Sequence, residues 1–208
     1  MAGNVVLFAT GSPVLVEVEE SLLRASVKIA AGVRNRNGFD YLSDPALLVG
    51  AASVGVALTA LPFLIPLFTP ANRQAAAGEA AALGFCCPFR LIDPTTIVPR
   101  ALSIGAGGYV NAGCVLGAKS RFGAFVFINR GASIGHHATI GDFVSIGPGV
   151  VIAGQVTIGS GCMIGAGAIV LPGISIGGNA TIGAGSIVTH DIPSECVATG
   201  NPARVSSV

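Results

Sequence analysis

From Arg100 to Thr189 the chain reads as fifteen consecutive hexads with no insertion or deletion, opening RALSIG, AGGYVN, AGCVLG and closing PGISIG, GNATIG, AGSIVT. The fifth position is apolar in every hexad, from Ile104 through Val188. The third is mostly small or β-branched (Cys114, Ala132, Ala138, Val144, Cys162, Ala180), and the sixth is usually glycine. A period of six fits neither an amphipathic helix nor a coiled-coil seam. It holds three strand periods of two, so positions three and five of each hexad point inward together. Three flat hexads then close one triangular coil of 18 residues, with small residues at the corners, and hexapeptide repetition is a signature of the parallel β-helix. The repeat predicts five coils, which at about 4.8 Å per rung make a prism about 24 Å long.

Between Phe143 and His190 there is no Asp, Glu, Lys or Arg. Faces that bare of charge are expected to pack against other copies of the chain, and a three-sided prism suits three-fold symmetry. With 51% hydrophobic and 10% charged residues, the chain is not of the disordered class. A formal net charge of +1 leaves no electrostatic footprint for nucleic acid. The five cysteines form no CxxC pair, and an odd count without a secretory leader predicts reduced thiols in a cytoplasm. The uncharged run "ALLVGAASVGVALTALPFLIPLF" is long enough to span a bilayer, but Pro62 and Pro66 break it and no basic cluster flanks it. It is read as a buried strand and helix, with no membrane span.

The first hundred residues alternate strand and helix signals, which predicts a small α/β domain with a parallel, Rossmann-like sheet over 1–92, ahead of the repeat domain at 93–208. "NVVLFA" reads as a buried strand leading to a helix, with Ser12 as N-cap and Pro13 at its first position. "VKIAAGV" and "FLIPLF" follow as strands, and "TPANRQAAAGEAAALG" as an alanine-rich helix stopped by Gly84. Ligands of such sheets gather beyond the carboxyl ends of the strands. Those ends carry Thr10, Gly11 and Ser12, then Arg34 and Asn35, then Thr69 to Arg73. A phosphate could rest on the free amides at a helix start, although "ATGSP" lacks the glycine pattern of a dinucleotide fingerprint.

An α/β unit of this length followed by hexads resembles the NeuD/PglD-like sugar acyltransferases, and the resemblance covers nearly the whole chain. It rests on "LPFLIPLFTPANRQAAAGEAAALGF", on "INRGASIGHHATIGDFVSIGPGVVIAGQVTIG" and on the closing coils with "GNPARV". The resemblance implies a left-handed β-helix and a cytoplasmic homotrimer. It also implies acetyl transfer from acetyl-CoA to an amino or hydroxyl group of a sugar, commonly a nucleotide-linked amino-sugar. By the same resemblance His136 is the general base, with His137 standing where the family has an acidic partner. Asn129 and its neighbour Arg130 fall beside the acceptor, whereas Thr10, Gly11, Ser12, Asn35 and Thr69 are expected at the acceptor from their place at the strand ends, the family's own first loop being replaced by "ATGSP". Ser145, Gly154, Ala166, Ala184, Pro202 and Arg204 fall on the acetyl-CoA side, with Gly154 giving its amide to the thioester.

The spacing is compatible with those roles. Gly154 follows His136 by 18 residues, hence one rung above it, and a glycine there leaves room for a thioester against the backbone. Ala166 and Ala184 are again 18 apart and form one column. A zinc hydratase of the γ-carbonic-anhydrase kind needs three imidazoles at one metal. His136 and His137 are adjacent and His190 lies three rungs away, so no metal is expected. A non-catalytic scaffold with the same fold is the remaining alternative, and transfer to nitrogen or to oxygen stays open.

Overall fold

The computed structural model describes residues 3–206 and comprises two units, Met1–Pro94 and Thr95–Val208. In the first, the strands β1 (Asn4–Phe8), β2 (Lys28–Arg34), β3 (Leu48–Gly50) and β4 (Phe63–Leu64) form one parallel sheet in the order β3-β2-β1-β4. That order reverses between β1 and β4, where a doubly wound sheet opens a crevice. Val5 to Phe8 are fully buried, as a central parallel strand covered on both faces must be. The helix α1 (Leu15–Arg24) buries Leu15, Val18 and Leu22, one stripe at i, i+3 and i+7. After the short α2 (Val56–Thr59), the helix α3 (Pro70–Ala82) starts with proline at its first position and buries Ala76 and Ala80. Gly84, at φ 98°, turns the chain into Phe85, whose ring packs 5.7 Å from Phe8 and 5.3 Å from Phe63.

Two local expectations give way. The first helix begins at Leu15 rather than at Ser12–Pro13, with Val14 as its uncapped N-cap residue. The Ser12 carbonyl, not its hydroxyl, closes the preceding turn by accepting from Leu15 N at 3.0 Å. The uncharged run 46–68 supplies its buried strand as β4, but the rest is less regular than a buried helix: it breaks into β3, two single 3₁₀ turns and the short α2, leaving Val56 86% exposed. Among the described residues no helix is long and apolar enough to cross a membrane.

The second unit stacks two-residue strands on three faces. The first face carries Tyr109–Val110, Phe127–Ile128, Ser145–Ile146, Met163–Ile164 and Thr181–Ile182. The second runs from Val115–Leu116 to Ile187–Val188, and the third from Ser103–Ile104 to Ser175–Ile176. Every register is an 18-residue step, such as Ile128 on Ile146 or Ser133 on Val151. All fifteen fifth-position side chains are at most 5% exposed, so the apolar column of the repeat is the core. At the corners the second residue of the hexad turns left-handed, as glycine in many hexads but as His137 (φ 58°) and Gln155 (φ 64°) in others. The sixth-position glycines serve another need: a Cβ on Gly135 would lie 2.5 Å from the backbone of the next rung. Beyond the last coil, Val197–Gly200 and Ala203–Ser206 form an antiparallel hairpin that continues the first face.

Candidate active site

His136 stands at the corner between the second and third faces, held by a backbone bond from Gln155 N to its carbonyl at 2.8 Å. Both His136 and His137 are exposed. The left-handed turn at His137 swings its ring back across the corner, so the two Nδ1 atoms lie 2.9 Å apart with the rings at 88°. Neutral imidazoles can share that contact only if one donates and the other accepts. When His136 donates through Nδ1, its Nε2 keeps a free lone pair and is a competent base. His137, as acceptor, then fixes the tautomer that an acidic partner would otherwise fix.

One rung up, Gly154 lies against the imidazole. A Cβ there would come within 2.7 Å of both Cε1 and Nε2 of His136, so the ring rests on bare backbone. Among the described residues the Gly154 N–H has no partner within the chain. A proton acceptor and an unclaimed amide side by side are the two elements that acyl transfer asks for. On the third face, Lys119 and Arg121 line a shallow groove of about 400 Å³ together with His137, a place for an anionic part of a ligand.

The remaining predicted residues of the β-helix lie elsewhere. Asn129, Arg130, Ala166 and Ala184 belong to the corner between the first and second faces. A whole face separates that corner from His136, on the order of 15–20 Å of strand. Asn129 Oδ1 accepts from Asn111 Nδ2 at 3.1 Å and from the Arg130 amide at 2.8 Å, which fixes the orientation of its side-chain amide. Ala166 and Ala184 are exposed. Ser145 is fully buried on the first face and offers no surface to a coenzyme, because this face, unlike the other two, has its outward positions covered at Tyr109, Phe127 and Ser145. Pro202 and Arg204 are exposed on the terminal hairpin, with Arg204 opposite Thr199.

In the first unit, a cavity of about 290 Å³ opens at the carboxyl ends of β1, β2 and β4. Gly11 and Asn35 line it, as do Asn37, Phe39 and Asn72. Thr10 does not: it is buried, and its hydroxyl donates to Asp40, which also pairs with Arg34. Thr10 therefore holds the loop that shapes the cavity. Ser12 and Thr69 stay outside the lining, with Asn72 of α3 taking the position expected of Thr69. Asn35 is oriented by a 2.6 Å hydrogen bond from its Nδ2 to Glu79. Phe39, missed in the sequence, is 78% exposed with its ring 5.4 Å from Tyr41. The signal for it was "RNRNGFDY", a polar turn at a strand's carboxyl end interrupted by aromatics.

Residues 119–154 match the family model described as bacterial transferase hexapeptide (six repeats), and residues 155–190 match the hexapeptide repeat of succinyl-transferase. No curated protein matches the sequence. Among solved structures the chain is similar to PerB from Caulobacter crescentus in complex with CoA and GDP-perosamine. The two are 30% identical over 100% of this chain and 99% of that one, with a TM-score of 0.85. It is also similar to a histidine-to-asparagine variant of perosamine N-acetyltransferase from the same organism, bound to the same two ligands, at 29% identity, 100% and 98% coverage and a TM-score of 0.87. The acetyltransferase domain of PglB from Neisseria gonorrhoeae, in complex with acetyl coenzyme A, is 26% identical over 99% and 100% of the two chains, with a TM-score of 0.86.

Proposed function

Because the chain belongs to the NeuD/PglD-like hexapeptide-repeat sugar acyltransferases, we propose that it carries an acetyl group from acetyl-CoA to the amino group of a nucleotide-linked amino-sugar. The observation that carries this reading is the His136 imidazole laid on the Gly154 backbone beside an unclaimed N–H. In the reaction, His136 Nε2 accepts the proton of the attacking amine as the new N–C bond forms. The Gly154 N–H donates to the thioester oxygen as negative charge gathers there. His136 then returns the proton to the departing sulfur as the C–S bond breaks. His137 holds the tautomer throughout.

The acceptor's nucleotide fits the cavity of the first unit, with its base against Phe39 and its polar edges within reach of Asn35, Asn37 and Asn72. Related proteins bound to CoA and GDP-perosamine support both ligand classes. No group of three or more His, Cys, Asp or Glu among the described residues could hold a metal, and this chemistry needs none.

The working enzyme is a homotrimer of left-handed prisms. The second face points Val115, Val151, Ile169 and Ile187 outward, and Val115 and Val151 are 40% and 42% exposed in the single chain. That apolar column packs between protomers and brings the Asn129 and Ala166–Ala184 corner of one copy to the His136 corner of the next. This arrangement unites the two halves that one chain keeps a face apart.

The test is mass spectrometry of reactions containing acetyl-CoA and a panel of nucleotide-linked amino-sugars and hydroxyl-only sugars. Acetylated amino-sugar is expected, with turnover reduced at least about a hundredfold in His136→Ala. Acetylation confined to hydroxyl acceptors, or full turnover by the variant, overturns the reading.

A further inference from the structure

Two adjacent cysteines, Cys86 and Cys87, lie outside the site described so far. Both are exposed, and their sulfurs lie 3.9 Å apart. The backbone on either side is held. Phe85 is buried between Phe8 and Phe63, the Cys87 carbonyl accepts from Phe63 N at 3.0 Å, and Phe89 N donates to the Phe63 carbonyl at 2.6 Å. Only the two thiol side chains are therefore free to adjust.

The sulfur separation selects among the uses of such a pair. A disulfide would bring the sulfurs to about 2.05 Å and usually spans Cα atoms about 4.4–6.8 Å apart, whereas neighbours across a trans peptide are held at about 3.8 Å. A linear two-coordinate metal with bonds of about 2.3 Å would hold its sulfurs about 4.6 Å apart. Two thiolates with such bonds stand about 3.8 Å apart on a tetrahedral centre and about 3.4–3.5 Å apart on a pyramidal one, so the pair at 3.9 Å needs only a small rotation of its side chains to grip either. A structural zinc site needs four protein ligands, and no cluster of three or more candidate ligands exists among the described residues. The fitting guest is a thiophilic centre that is satisfied by two sulfurs and keeps its remaining substituent.

We infer that Cys86 and Cys87 form a bidentate dithiol site for trivalent thiophiles of the arsenical class. Capture replaces the arsenic–oxygen double bond of an organoarsenic oxide with two arsenic–sulfur bonds. The two thiol protons leave with that oxygen as one water, and no electrons are transferred. The hydrogen bond shared with Cys86 and the charge of that neighbouring sulfur raise the Cys87 thiol pKa, so Cys87 keeps its proton until the reagent arrives. The buried Cys114 and Cys162 are closed to the same reagent.

The test uses the full chain, freshly reduced, with phenylarsine oxide, intact-mass measurement and alkylation mapping. One arsenical per chain is expected, bound with loss of one water. It protects Cys86 and Cys87 but not Cys196 from iodoacetamide, and it is released by an excess of a small dithiol but not of a monothiol. Cys86→Ser and Cys87→Ser should each weaken capture by at least about a hundredfold, the loss of an intramolecular second bond, with unchanged thermal melting. An adduct mapped to another cysteine, or a single variant that resists monothiol as the parent does, overturns the inference.

Discussion

Replacing Gly154 with alanine tests the proposed chemistry at its narrowest point. The added methyl would lie 2.7 Å from Cε1 and Nε2 of His136 and 3.2 Å from its Nδ1. Non-bonded carbons rest about 3.5–4.0 Å apart, so the imidazole must retreat by roughly 1 Å. The ring is exposed and can swing, so the fold bears little of the cost and the melting temperature should move by only about 1–2 °C. Catalysis bears the rest. A displacement of about 1 Å at a reacting group costs about a hundredfold, equivalent to about 2.7 kcal/mol in the barrier. Steady-state acetyl transfer, followed by the mass of the acetylated product, reads this as a fall in kcat with little change in affinity for acetyl-CoA. Adding His136→Ala to Gly154→Ala should cost little beyond His136→Ala alone, because both act through one imidazole. A Gly154→Ala enzyme that turns over at the parental rate would refute the placement of the base.

His137→Asn keeps a residue that tolerates the left-handed corner and removes the ring that fixes the His136 tautomer; kcat should fall about tenfold with KM for acetyl-CoA unchanged, and an unaltered kcat would deny His137 that role. Phe39→Ala should weaken nucleotide binding tenfold or more by calorimetry, since stacking on a base contributes about 1–3 kcal/mol; equal Kd values would place the base elsewhere. Val151→Asp puts a charge in the outward column of the second face. It should shift the protein to monomers in analytical ultracentrifugation and abolish turnover, whereas an active monomer would show that one chain holds a complete site.

Much of the β-helix was legible because its period is its structure. A repeat of six without a slip makes residue n sit on residue n + 18, and the stacking of Gly154 over His136 follows by counting. The same counting separates Asn129 from His136, since seven residues carry the chain around to a different corner. The burial of Ser145 was not legible, because nothing inside a hexad says which face of the prism will have its outward positions covered. The first unit was read less well. Strand patterns located β1 and β2, but "SP" looked like a helix start where a backbone turn intervenes, and the uncharged run 46–68 looked more regular than it is. Its cavity joins residues 9–11, 35–41 and 67–72, which meet only because the sheet order sets β2 and β4 on either side of β1.

The sequence by itself therefore determined the coil, its inward column and the rung on which each corner residue sits, because side-chain alternation and backbone pairing are local and repeat with the chain. Tertiary structure alone decided which ring nitrogens of His136 and His137 meet, that Thr10 turns inward to hold Asp40, and that Phe39 stands at the mouth of a cavity. Those outcomes depend on how side chains from distant or left-handed positions fill shared space, and a pattern along the chain carries no record of that.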